Sequence, residues 1–128
     1  MLYAILCYDT EADVGAWSRE EDDAVMTRLG AVQDRLAAEG RLGPVARLLP
    51  TTAATTIRDG GWPLVLDGPF AETKEQLLGF FVVECASLEQ AIETVRDLAA
   101  CKPSIGSYEL RPIGYYRSGD ETKVNAHG

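Results

Sequence analysis

Leu78-Gly79-Phe80-Phe81-Val82-Val83-Glu84-Cys85-Ala86-Ser87-Leu88-Glu89-Gln90 is the stretch on which the fold turns. Leu78 to Cys85 is a strongly apolar run of strand length, and its large side chains fall at both parities, Phe80 and Val82 against Phe81 and Val83. Such a strand is apolar on both faces. Ser87 to Gln90 then fits a capping box, in which a serine oxygen and a side chain three residues on satisfy backbone N–H groups at a helix start. The spacing predicts a helix with Leu88, Ile92, Val95 and Leu98 facing inward, ended with the help of Pro103.

Working outward, the same pattern occurs at the start of the chain. Leu2 to Tyr8 is a short run apolar at both parities, bounded by Asp9-Thr10-Glu11, and reads as a strand. Ser18-Arg19-Glu20-Glu21 is a capping box, Val25, Leu29, Val32 and Leu36 follow at helical spacing, and Gly40 supplies the left-handed residue that commonly ends a helix. The acidic run Glu20 to Asp23 is the solvated first turn of that helix, favoured by its dipole. Towards the end of the chain, Ser107 to Ile113 alternates, with Tyr108 and Leu110 on one face and Glu109 and Arg111 on a wetter one.

Between the two halves come short runs, Val45 to Leu49, Ala54 to Arg58 and Pro63 to Leu66, with Asp59-Gly60-Gly61 marking a hairpin between the last two. Asp67-Gly68-Pro69 is a second sharp break, since glycine admits positive φ and proline restricts itself and its predecessor. The order is strand, helix, strand, inserted hairpin, strand, helix, strand. This predicts an α+β fold, a ferredoxin-like split βαβ sandwich with an inserted β-hairpin. In that plan both helices cover one sheet face, so the other apolar row stands bare, and a second copy of the chain is the simplest symmetric cover. The expected assembly is a homodimer of the dimeric α+β barrel type.

The 128 residues suit one core, expected over residues 1–116, with a polar tail without periodicity over 117–128. Composition, 46% hydrophobic and 25% charged, is that of a globular protein. A net charge of −8 repels phosphate backbones and anionic headgroups, which argues against direct contact with nucleic acid or membrane. Cys7, Cys85 and Cys101 are odd in number and show no metal-type spacing, and no metal, nucleotide or flavin motif is visible, so no cofactor is expected. The cysteines read as small buried hydrophobes in a reducing compartment. The apolar start lacks the basic flank and cleavage site of a signal peptide, and the expected location is cytoplasmic.

Leu66-Asp67-Gly68-Pro69-Phe70-Ala71-Glu72-Thr73-Lys74-Glu75 followed by Leu78-Gly79-Phe80 closely resembles the signature of the DGPF branch of the YCII-related proteins, and Gly106 to Ile113 resembles that branch's last strand. The likeness runs from about Met1 to Ile113. It implies a ferredoxin-like dimer with an active or binding cleft near the motif. Members of the wider family carry a histidine on the first helix, paired with an aspartate as a proposed acid/base couple. The helix from Arg19 to Glu39 contains no histidine; His127, in the tail, is the only one in the chain.

Within the motif, Asp67 can act as a general base or acceptor, or equally cap N–H groups of its own turn. Glu72 is a second candidate catalytic carboxylate. Gly68, Pro69 and Phe70 would shape a ligand pocket, with Phe70 either lining it or pinning the loop to the core. Lys74 is a candidate anion-binding cation, and Arg111 either grips a substrate carboxylate or pairs with Glu109 or Glu84. Two functions follow. One is binding or transformation of a small, anionic or aromatic metabolite, as relatives on this sheet-dimer plan imply. The other is a regulatory role through contact with a sigma factor, as the resemblance to domains placed near transcription initiation implies.

Overall fold

A computed structural model describes residues 1–61 and 64–119. Its elements, in chain order, are β1 (Leu2–Asp9), α1 (Glu11–Gly15), α2 (Arg19–Ala38), β2 (Leu42–Arg47), a single 3-10 turn (Thr51–Ala53), β3 (Thr55–Arg58), β4 (Leu64–Asp67), β5 (Gln76–Glu84), α3 (Leu88–Ala99) and β6 (Ser107–Pro112). His127 and Pro63 lie outside the described residues, as does the tail beyond Gly119.

Four strands form one sheet in the order β2-β5-β1-β6, with every neighbouring pair antiparallel. β5 sits between β1 and β2, so α2 carries the chain across a position left for a later strand. That is the split βαβ arrangement, and the chain is α+β with a ferredoxin-like sheet. Among the described residues β3 and β4 pair only with each other, Thr55 opposite Asp67 and Arg58 opposite Leu64. Tyr3 and Ile5 of β1 and Phe81 and Val83 of β5 meet Leu36 of α2 and Ala91 and Leu98 of α3, and this cluster is the core. The alternate row, with Ala4 opposite Val82 and Leu6 opposite Phe80, faces away from the helices. The sheet is therefore apolar on both sides.

α2 begins with the full capping box: Glu21 N–H donates to Ser18 Oγ at 3.1 Å and Ser18 N–H donates to Glu21 Oε1 at 3.0 Å. It ends at Gly40, whose φ of 71° lets the N–H groups of Gly40 and Arg41 reach back to the carbonyls of Ala37 and Leu36. α3 departs from expectation in two ways. Gln90 N–H donates to Ser87 Oγ, but the Gln90 side chain takes the N–H of Ala86 instead of Ser87, so the box is half formed. Its buried face is Ala91, Thr94 and Leu98, while Leu88 and Ile92 are exposed. A threonine can occupy that inward position because its hydroxyl donates to the Gln90 carbonyl and accepts from the Arg41 guanidinium at 2.7 Å.

Two strands also differ from the sequence pattern, and both differences shape the helix-facing side of the sheet. β2 starts at Leu42, earlier than its apolar run, and Gly43 makes this possible: a Cβ there would meet the Val82 carbonyl oxygen at 2.9 Å. β5 carries a bulge against β1, in which Cys7 faces Gly79 and Tyr8 faces Leu77, leaving Leu78 without a partner. The extra residue turns the preceding part of β5 by one position, so Gln76 comes to the helix side opposite Asp9, which is there by simple alternation with Ile5 and Cys7.

Candidate functional site

A cavity of about 130 Å³ lies between α2 and the sheet. Its floor is Cys7 of β1, Val45 of β2 and Gly79 and Phe81 of β5, and Val25, Met26 and Leu29 of α2 close it from above. Val14 of α1 and Trp17 form one wall. Gly79 is required for this floor, since a Cβ at that position would meet the Ala46 carbonyl oxygen at 2.6 Å and push β2 away. Leu78, freed from the ladder by the bulge, also lines the space.

Two polar groupings stand at opposite edges of the sheet. On the β2 edge, Arg47 makes a forked contact with Asp22 at 2.8 and 3.3 Å, and hydrogen bonding from that guanidinium holds the Asp22 carboxyl below its usual range. A larger pocket of about 420 Å³, lined by Glu11, Arg19, Leu48 and Leu49 among others, adjoins here.

On the β6 edge, Asp9 is 1% exposed and fully engaged. Its Oδ2 accepts from Lys102 Nζ at 2.7 Å and from Ser104 Oγ at 2.6 Å, and its Oδ1 accepts from Thr10 N–H at 2.8 Å. Burial alone would raise its pKa, but these donors outweigh it and the net shift is downward. Lys102, with its side chain 13% exposed, is likewise penalised by burial yet raised overall by its hydrogen bond to Asp9. Its ammonium stands 5.1 Å above the Tyr108 ring, a cation–π distance. Burial raises the Tyr108 hydroxyl, and burial pushes the Cys7 thiol up to about 11, each partly offset by the Lys102 charge. A buried, paired acid and base beside an apolar cavity is an arrangement suited to orienting a polar group on a bound molecule.

Gly106 makes that grouping possible. A Cβ there would strike the Tyr8 carbonyl oxygen and come within 2.8 Å of Lys102 Nζ and 3.2 Å of the Asp9 carboxyl carbon. The wall formed by α1 is also tied down from outside. Glu11 accepts from the N–H and hydroxyl of Thr51 at 2.8 and 3.0 Å, its own N–H donates to Gln76 Oε1 at 3.0 Å, and Gln76 Nε2 donates to the Thr73 carbonyl at 2.6 Å.

The model of the YCII-related domain matches residues 1–115. The chain belongs to the YCII-related family. A relative, an uncharacterised protein of Rhizobium meliloti (strain 1021), is 57% identical over 121 residues, covering 94% of this chain and 98% of that protein.

In this YCII-related chain the end of the signature, Leu78, Gly79 and Phe80, lines the cavity, while Asp67 to Lys74 stand apart from it. Asp67 ends β4 and is exposed, with no side-chain hydrogen bond among the described residues. Gly68 adopts φ 94°, its N–H donates to the Ala54 carbonyl at 2.7 Å, and its carbonyl accepts from the Thr56 hydroxyl. The sharp turn there uses glycine's freedom. Pro69 is half-buried, Phe70 is 75% exposed, and Glu72 and Lys74 are exposed. Arg111 lies on the sheet face away from the helices, 4.0 Å from Glu109. None of these seven lines the cavity; Thr73 of the motif acts on it indirectly, through Gln76, which braces α1. Asp9, Lys102, Tyr108 and Trp17 are site residues that the sequence pattern does not single out. Asp9 and Lys102 are 93 residues apart, and the only local hint is an aspartate closing an apolar strand.

No helix among the described residues is long and apolar enough to cross a membrane, and no group of three or more potential ligand side chains among them could hold a metal.

Proposed function

We propose that this YCII-related protein binds a small, single-ring aromatic metabolite in the cavity between α2 and the sheet. The observation that carries this reading is the match of size and lining. An apolar cavity of about 150 Å³ is known to take up benzene. The one here is about 130 Å³ and is walled by Trp17, Met26, Phe81 and Tyr108. Toluene has seven heavy atoms, and at about 0.7 kcal/mol each the binding free energy is about −5 kcal/mol, a Kd on the order of 0.2 mM. Trp17 is a built-in reporter. In a Trp62→Phe background it is the only tryptophan, and titration with toluene should shift its emission with saturation near that Kd. Linear, unsaturable quenching up to the solubility limit would remove the reading.

We further propose that the working unit is a homodimer. Ile57, Leu64, Val65, Leu66 and Phe70 are all exposed on or beside the β3–β4 ladder, Ile57 at 66% and Val65 at 63%. A two-stranded ladder with no apolar cover is marginal in water. The apolar sheet row facing away from the helices is the complementary surface on the same chain, and a two-fold axis lets each copy cover the other with identical contacts. Sedimentation should give a particle of twice 13.9 kDa, and Val65→Asp should return it to a single chain. A wild-type protein that sediments as one chain at micromolar concentration would refute the dimer.

A further inference from the structure

We propose that Lys102 is the residue that selects the ligand, and that it selects a ring bearing an electron-rich neutral oxygen, a phenolic hydroxyl or a ring carbonyl. The proposal rests on the ring-binding reading above and names the polar contact within it. An ammonium has three N–H donors. Among the described residues, Lys102 places one on Asp9 at 2.7 Å and sets its charge over the Tyr108 ring at 5.1 Å, and its hydrogen bonding to the Tyr108 hydroxyl engages a second, which leaves a third. The same side chain lines a cavity whose other walls are almost wholly apolar. The remaining donor is the one a ligand oxygen would meet, and an unmet donor in a largely apolar wall is costly.

The geometry also fixes where the donor stands. Asp9 is held from three sides, by Thr10, Ser104 and Lys102, so the carboxylate anchors the ammonium. Gly106 lies directly beside both, where any side chain would press on the pair.

Charge decides the oxygen's type. Asp9 already neutralises Lys102, and Asp22 already engages both terminal nitrogens of Arg47 at the other edge. Neither cation bordering the cavity is left with a full charge for a carboxylate. A neutral oxygen that accepts a strong hydrogen bond suits this balance, whereas burying a carboxylate beside Asp9 would set two like charges together. Asp9 is thus a positioning residue and Lys102 the contacting one.

The test uses phenol and toluene, which differ by hydroxyl against methyl on the same ring, and compares the ratio of their affinities in the wild-type protein and in Lys102→Met. Differences in hydration of the two probes cancel in this double ratio. Loss of a hydrogen bond from a charged donor should lower the phenol-to-toluene ratio by about tenfold, with toluene affinity held within about twofold. Lys102→Met leaves the Asp9 carboxylate without its partner, so the Asp9→Asn/Lys102→Met pair is measured alongside as a variant with no buried unpaired charge; it should show the same drop. Lys102→Arg, which restores a donor, should recover part of it. Both rings binding the wild type with a ratio unchanged in either methionine variant would overturn the role of Lys102 and leave the ring site standing. Toluene failing to bind the wild type would overturn the ring site, and this proposal with it.

Discussion

Lys102→Met should cost about 3 kcal/mol of folding stability at neutral pH. Removing one partner of a buried ion pair typically costs about 3–5 kcal/mol, because the remaining charge stays buried without compensation. Here Asp9 keeps its contacts to Ser104 Oγ and Thr10 N–H, which places the loss at the lower end. With a urea m-value of about 2 kcal/mol/M, the midpoint should fall by about 1.5 M, and the Tm by about 10 °C. Adding Asp9→Asn should recover part of the loss, since the stranded carboxylate is then gone. The pH dependence follows from the two shifts. Asp9 is lowered in the folded state, so its contribution is present above the ordinary carboxylate pKa of about 4 and disappears as pH falls through the folded value. Lys102 is raised, so its contribution is complete below the ordinary lysine pKa of about 10.4 and disappears as pH rises through the folded value. The difference between wild type and Lys102→Met should therefore form a plateau from about pH 5 to pH 10 and shrink on both sides. Urea unfolding of both proteins across pH 3 to 11 measures it. A loss under about 1 kcal/mol at pH 7, or a difference that does not change between pH 7 and pH 3, would refute the buried pair as an energetic unit.

Gly106→Ala should destabilise by about 1–3 kcal/mol, the usual cost of forcing a methyl into filled space, because the added carbon meets the Tyr8 carbonyl, Lys102 and Asp9 together; thermal unfolding reads this, and an unchanged Tm would show that the loop moves aside freely. Ser18→Ala removes the hydroxyl that caps Glu21 N–H and should cost about 1 kcal/mol, seen as a lower urea midpoint at constant m. With its thiol pushed up to about 11, Cys7 should hold about a hundredfold less thiolate at pH 8 than an unperturbed cysteine and alkylate correspondingly slowly in the native state, as a mass-resolved iodoacetamide time course would show; labelling at the rate of a free thiol would contradict its half-buried place in the cavity floor.

The architecture was legible because it rests on local signals. Ser18 and Glu21 announce a helix start, Gly40 its end, and the double-sided apolar runs around Ile5 and Val82 can only be strands with both faces in use. Single-residue facing was less legible. Periodicity alone puts Ile92 inward, whereas the structure buries Thr94, because a hydrogen bond from Arg41, distant in sequence, satisfies its hydroxyl. The cavity was not legible. It depends on a bulge at Leu78, on the close approach of β2 that Gly79 permits, and on a five-residue α1 that has no side-chain cap and is held by Glu11 through Thr51 and Gln76. Each of these is a contact between distant segments, and no window of sequence contains both partners. The motif draws attention to Asp67, Glu72 and Lys74 as charged residues near a turn, while the buried charges, Asp9 and Lys102, sit in stretches that look like ordinary element ends.

Occupation of the cavity by a ligand is tested most directly by backbone amide shifts in an isotope-labelled sample titrated with phenol. The expected result is that saturating phenol moves the amides of Leu29, Gly79, Lys102 and Tyr108 together, with one Kd, while those of Gly68, Phe70 and Lys74 stay in place. Shifts confined to the turn from Gly68 to Lys74, with Gly79 and Lys102 unmoved, would place binding at the motif and rule out the cavity as the ligand site.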